Sequence, residues 1–101
     1  MQKGGYVYIM SSPNKTTVYV GVTSDLYDRV WKHRNKYYPD SFSGKYNCVM
    51  LVYYCFFGSI EEAIAEEKRI KGGSRKQKDE LIRSINPRCV DLWDELYGAG
   101  V

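Results

Sequence analysis

The chain has 101 residues with fifteen Lys and Arg against twelve Asp and Glu, a net charge of +3. That is room for one domain, and a charge too small to name a nucleic-acid partner unaided. Hydrophobic residues at 44% and charged residues at 27% exclude wholesale disorder and collagen-like or low-complexity structure. The longest nearly apolar run, Cys48 to Phe57, has ten residues, against the roughly 20 of a membrane helix, so it predicts a buried strand and no membrane partner. Met1 to Gly5 has no apolar leader core, which predicts a cytoplasmic protein. The three cysteines, Cys48, Cys55 and Cys89, are odd in number and lack a C-x-x-C pairing, as expected of reduced thiols acting as small hydrophobes.

Tyr6–Met10 and Thr17–Val22 are β-branched and aromatic, and Ser11 to Lys15 between them is a turn cluster, which predicts a hairpin. Pro13 cannot take the positive φ that opens a tight type I′ turn, so the loop must exceed two residues. Parity places Val7, Ile9, Val18, Val20 and Val22 on one face and Tyr6, Tyr8, Tyr19 and Gly21 on the other. Thr23 or Ser24 is the expected cap of a helix running to about Lys36, with Leu26, Val30, His33 and Tyr37 on one stripe. Residues 37–47 read as a loop leading to the buried strand, which Gly58 ends.

Ser59-Ile60-Glu61-Glu62 has the pattern of a capping box and opens a second helix that Gly72-Gly73 stop near Lys71. Ser74-Arg75-Lys76-Gln77 repeats the device for a third helix, with an apolar stripe of Leu81, Ile82 and Ile85, ending at Asn86-Pro87. Asp91 to Leu96 adds a short terminal helix. The order β-β-α-β-α-α with an opening hairpin predicts a small, mostly antiparallel sheet covered by helices, a single α+β domain over residues 1–101.

Glu67 falls on the inward stripe of the second helix, with Ile60, Ala63, Ile64 and Ile70 or Lys71. An inward carboxylate needs an arginine, hydroxyl donors or a metal ion as partner. Alternatively it is an edge residue, swung to solvent beside Arg69 or Lys71. Tyr8 and Tyr19 share a face beside Gly21, whose missing side chain is expected to leave open space above the sheet. Two phenols near an arginine and a phosphate can position or deprotonate a water. Arg29 and His33, four apart on one helix, suit a phosphate clamp and a proton carrier, although Arg29 could equally pair with Asp25. Six basic residues and no acid lie between Lys68 and Lys78, and four with His33 between Arg29 and Lys36. These are two patches for a phosphate backbone, or solvated helix faces.

Tyr6-Val7-Tyr8, Tyr19-Val20-Gly21, Arg29, His33 and Glu67, in this order, resemble the GIY-YIG endonuclease superfamily. The small stand-alone bacterial members are resembled more closely, through residues 19–26, Lys45-Tyr46-Asn47, Leu51 to Tyr54 and Ala63 to Lys71. The first triplet opens on Tyr6 where the family name has Gly, and Val7 and Val20 replace isoleucine; strand character is kept. The resemblance implies a three-stranded antiparallel sheet with flanking helices and metal-dependent hydrolysis of DNA phosphodiesters, in repair, recombination or nucleic-acid turnover. It assigns Tyr8, Tyr19, Arg29, His33 and Glu67 to catalysis, Gly21 to the motif's structure, and a divalent cation, Mg²⁺ or Mn²⁺, to Glu67. Lys45, Lys68, Lys71, Arg75, Lys76 and Lys78 are expected to contact DNA, with RNA as the other substrate. The basic stretch and the 37–47 loop are expected to border one cleft. Asn86, the only counterpart of an asparagine often found after that glutamate, is given no role. Many family nucleases carry a further DNA-binding domain, so either low affinity and specificity for DNA or a protein partner that supplies them is expected here. The competing reading is a nucleic-acid-binding module that does not cut.

Overall fold

The computed structural model describes residues 4–98. The opening residues 1–5, from which no leader was expected, therefore lie partly outside the described residues. The element order is β1 (Gly5–Ser11), β2 (Val18–Thr23), α1 (Leu26–Arg34), α2 (Phe42–Lys45), β3 (Met50–Phe57), α3 (Ile60–Lys71), α4 (Arg75–Ile85) and α5 (Trp93–Tyr97). β1 is the central strand of an antiparallel sheet ordered β2-β1-β3, the expected α+β class.

The hairpin loop is as long as Pro13 requires: Ser12 N–H donates to Thr17 O at 3.0 Å, Lys15 N–H to Ser12 O at 2.9 Å, and Lys15 takes a φ of 63°. Parity holds on the β1–β2 ladder. Val7, Ile9 and Val20 pack with Ala63, Ile70 and Ile82 beneath α3 and α4. Tyr8 and Met10 pack with Leu26, Val30, Leu51 and Leu92 beneath α1 and α5. Each face thus has its own helical layer, which is how so short a chain buries both sides of the sheet.

The β1–β3 ladder slips once. Ile9 pairs with Tyr53 but Met10 with Leu51, so Val52 is the extra residue of a bulge. Val52 and Tyr53, adjacent in sequence, consequently join the same core cluster. Asn86 closes the defect: its amide nitrogen donates to Val52 O at 3.0 Å and to Val90 O at 2.8 Å, while its oxygen accepts from Val90 N–H at 3.1 Å.

Several local expectations change. Asp25, not Thr23 or Ser24, caps α1 by accepting from Asp28 N–H at 3.0 Å; the Thr23 hydroxyl accepts from Asp25 N–H instead and holds the cap in place. The helix ends at Arg34, and Lys36 turns into the left-handed region at φ 50°. Tyr37 therefore falls off the stripe and lies exposed. The supposed loop contains α2, capped by Ser41 through Gly44 N–H. The third strand begins at Met50 rather than Cys48. Ile64 and Ile85 face solvent instead of the core, because the buried arcs of their helices are narrow and centre on Ala63, Glu67 and Ile70 in α3 and on Ile82 in α4. Ser74 and Gln77 form both halves of a capping box, while Ser59 supplies the hydroxyl half to Glu62 N–H.

Candidate active site

Cross-strand pairing starts the site. Tyr8 stands opposite Gly21, and a Cβ on Gly21 would lie 2.4 Å from the Tyr8 hydroxyl oxygen. The space above Gly21 is therefore not open, as parity suggested; the Tyr8 ring fills it. Glycine is needed there because the ring lies across the neighbouring strand. The Tyr8 and Tyr19 rings share the face, with centroids 6.3 Å apart, and His33 approaches both, at 5.5 and 5.3 Å.

α1 delivers His33 to this face because Leu26 and Val30, two turns and one turn earlier, are buried against the sheet. Its Nε2 is 2.9 Å from the Tyr8 hydroxyl and its Nδ1 2.8 Å from Ser43 Oγ. Burial, reinforced by the positive charge of Arg29, lowers the His33 pKa to about 4. The imidazole is neutral near pH 7, so it can accept the Tyr8 proton at Nε2 while Nδ1–H donates to Ser43. Tyr8 is fully buried; that burial, with Tyr19 beside it, pushes the phenol above its ordinary range, and Arg29 opposes the shift. The resting pair is phenol and imidazole, both uncharged.

Glu67 is on the buried arc of α3 at 8% exposure, which decides between the two sequence readings in favour of an inward carboxylate. Its Oε2 pairs with Lys71 Nζ at 2.8 Å, and the carboxylate in turn pushes the Lys71 pKa up. Lys71 also reaches over the Tyr19 ring, 5.8 Å from its centroid. The negative charge of Glu67 is felt at the Tyr8 phenol. Tyr8, Tyr19, Arg29, His33, Glu67 and Lys71 thus converge on the β1–β2 side of the sheet. Asp25 is spent on its helix cap and does not pair with Arg29.

The donor set around Glu67 suits a hard cation. A carboxylate outside any group of three or more His, Cys, Asp or Glu among the described residues is a ligand of the kind Mg²⁺ accepts, since that ion keeps several waters and takes substrate phosphate oxygens. It does not fit a structural zinc site.

A cavity of about 390 Å³ opens beside these groups, lined by Tyr19, Arg29, His33 and residues of the 38–44 segment, with Lys32 and Lys36 at its rim. The 68–78 stretch does not border it. Lys68, Arg69 and Lys78 line a separate cavity between α3 and α4. Two of the expected DNA contacts have internal duties: Arg75 donates to Lys15 O and Thr16 O and pairs with Asp79, and Lys78 Nζ donates to Gly73 O at 2.6 Å, closing the end of α3. Lys45, Lys68 and Lys76 are exposed, and Lys45 lies by the hairpin loop. Asn86 is a bulge tie and lies outside the site. Ser43 is the site residue that sequence reasoning missed; nothing in Ser41-Phe42-Ser43 announces that α2 will carry it back onto His33.

The family model of the GIY-YIG catalytic domain matches residues 4–80. The chain belongs to the GIY-YIG family. Among its GIY-YIG relatives, a UPF0213 protein of Clostridium perfringens is 37% identical over 79 residues, covering 78% of this chain and 83% of the relative. Another UPF0213 protein, from Pectobacterium carotovorum, is 29% identical over 92 residues, covering 91% and 90%. The solution NMR structure of a UPF0213 protein from Bacillus halodurans superposes with a TM-score of 0.55 at 24% identity, covering 97% of this chain and 98% of the other, which shows the shared fold. GIY-YIG membership makes this a domain of a nuclease family. Among the described residues no helix is long and apolar enough to cross a membrane.

Proposed function

We propose that the protein is a metal-dependent endonuclease that hydrolyses phosphodiester bonds of nucleic acid, DNA above all, in repair, recombination or turnover. The observation that carries this reading is the Tyr8–His33 hydrogen bond at 2.9 Å beside a buried glutamate. A water placed against the Tyr8 oxygen can lose its proton to that oxygen as the phenol passes its own to His33 Nε2. Moving the two protons together avoids a free phenolate in a buried site, where its charge would be expensive. Ser43 Oγ lies 2.8 Å from the opposite ring nitrogen, where accepting from Nδ1–H would leave Nε2 open. The water oxygen forms the new bond to phosphorus while the bond to the leaving sugar oxygen breaks. Arg29 neutralises the phosphate and Tyr19 donates toward it.

Glu67 is the residue that would hold Mg²⁺ or Mn²⁺, and such a cation would stabilise the charge that gathers on the phosphoryl oxygens. Lys71 would then turn from Glu67 toward the substrate. A second reading, a binding module that does not cut, draws on the same ion pair, since Lys71 already satisfies the carboxylate at 2.8 Å.

Glu67→Gln separates the two. Size and hydrogen-bonding capacity are kept and the charge is removed, so nicking of plasmid, branched, single-stranded or RNA substrates with Mg²⁺ or Mn²⁺ is expected to collapse while binding survives or tightens. Undiminished cleavage by Glu67→Gln would overturn the metal role. A parent protein inactive on every substrate would overturn the endonuclease in favour of the binding module.

A further inference from the structure

Four large aromatic rings on one short segment, Tyr37, Tyr38, Phe42 and Tyr46, are each at least half exposed. A small domain that buries both faces of its sheet has little reason to leave so much ring surface in water unless the rings meet something. The rings are also ordered against the site. Phe42 stacks on Tyr19 at 6.3 Å with 30° between the planes, and Tyr46 packs behind Phe42 at 4.7 Å. Phe42 thereby joins the Tyr19 face and remains half exposed beside both neighbours. Tyr38 and Phe42 line the same cavity as Arg29, Lys32 and Lys36; no acidic residue lines it, although Lys32 Nζ pairs with Asp28 at 3.0 Å and must leave that carboxylate to meet a phosphate.

That combination selects a ligand. A bare phosphate clamp needs the cations but not the rings. A base-paired stretch cannot use the rings, because each base already stacks on its neighbours. An unpaired nucleotide uses both: a free base face for Phe42 or Tyr38, and phosphates for the cations. The volume, about 390 Å³, lies within the range of small-ligand sites.

We infer that this cavity receives one unpaired nucleotide next to the cleaved bond, its base stacked on Phe42 and its phosphates held by Arg29, Lys32 and Lys36. The substrate is therefore a single strand or a duplex with an extruded base, and intact duplex is refused. Phe42 offers no hydrogen-bonding group, so the pocket tolerates every base. The inference rests on the nucleic-acid reading of the Tyr8–Glu67 site and deepens it.

Binding is measured with the full chain carrying Glu67→Gln, so that cleavage does not interfere. Fluorescence anisotropy at one fixed salt concentration compares a labelled DNA strand, its blunt duplex, the same duplex with a one-base bulge, and an RNA strand of the same sequence. The single strand and the bulged duplex are expected to bind at least about tenfold more tightly than blunt duplex, and Phe42→Ala to remove about tenfold of that, the usual scale of one lost base–aromatic stack. Phe42→Trp keeps a stacking face and is expected to keep the affinity. 2-Aminopurine in the strand should be quenched by the parent and not by Phe42→Ala. RNA bound as tightly as DNA, with the same dependence on Phe42, supports the pocket for both sugars. Phe42 is exposed, so its variants are expected to fold, and a matched far-UV spectrum checks this. Equal affinity for blunt duplex and single strand, or a Phe42→Ala protein indistinguishable from the parent, overturns the inference and leaves the nuclease reading standing. Failure to bind any nucleic acid overturns both. An aromatic surface that serves a protein partner instead would show itself as strand binding unmoved by Phe42→Ala.

Discussion

His33 Nε2 meets the Tyr8 hydroxyl and its Nδ1 meets Ser43 Oγ, and a neutral ring can accept from Tyr8 while donating to Ser43. Its folded pKa, about 4, lies below the ordinary value near 6.5. Above pH 6.5 both folded and unfolded chains carry a neutral imidazole, so this residue adds no pH dependence. Between 6.5 and 4 the unfolded chain takes up a proton that the folded chain refuses, and stability falls as pH falls, by about 1 kcal/mol per pH unit at most. Urea midpoints compared at pH 7 and pH 5 should show this loss, and His33→Gln should flatten it; an equal loss in the variant would mean that other groups carry it. Glu67 shows why single residues were only partly legible. Its place on an apolar stripe flagged it, but stripe position alone left it free to face either sheet or water. The choice belongs to the packing of α3 on β1 and β2, which puts Ala63, Glu67 and Ile70 on the buried arc and leaves Ile64 outside it.

Elements are joined here by polar ties that hydrophobic periodicity does not report. Asn86 ends α4 and at once saturates the carbonyl of the bulged Val52. Asn86→Ala leaves that buried carbonyl and Val90 without partners, so it is expected to cost about 1–3 kcal/mol. Chemical denaturation would register the loss, whereas oligonucleotide binding should be unchanged, since the residue lies away from the site. Arg75 ties the tip of the hairpin to α4 through Lys15 O and Thr16 O. Arg75→Ala should therefore destabilise by about 1 kcal/mol, the scale of a partly exposed hydrogen-bonded pair, and leave the salt slope of DNA binding unchanged. Lys76, exposed and free of such ties, is the better probe of a phosphate contact: a reduced salt slope in Lys76→Glu would restore the patch as a DNA surface, and an unchanged slope would make it a solvated face. The run of charge in the sequence gave all these residues equal weight. Only the contact of α4 with the hairpin loop separates them.

Across the whole molecule, the family match stops at residue 80 while the tyrosine face is closed by residues beyond it. Leu92 is buried against the cluster of Tyr8, Met10, Leu26 and Val30, and its N–H donates to Leu51 O at 2.7 Å. Asp91 bridges Arg34 of α1 and Leu51 N–H of β3. The C-terminal segment thus forms part of the roof over Tyr8. Leu92→Ala is expected to cost about 2–5 kcal/mol, because the cavity opens in a packed layer with little freedom to collapse. Its effect on cleavage should exceed that of Ile82→Ala, a similarly destabilised position beneath the opposite layer. Equal losses of activity at matched stability would show that the roof does not position Tyr8.

Alternation along the strands assigned the two faces and put Tyr8 with Tyr19, because side-chain direction in a strand follows from parity and needs no partner to be known. Cap and breaker residues placed α1, α3 and α4 within a few residues, because those signals act over one turn of chain. The spacing of the two triplets, Arg29, His33 and Glu67 was enough to mark the family. Tertiary structure alone decided that Tyr8 fills the space above Gly21, that Ser43 meets His33 Nδ1, that Asn86 repairs a bulge, and that the aromatic 37–46 segment lines the cavity while Lys68, Arg69 and Lys78 line another. Each of these depends on groups far apart in the chain meeting at hydrogen-bond or van der Waals distance. Such meetings are set by how layers pack and leave no periodic trace in the residues themselves.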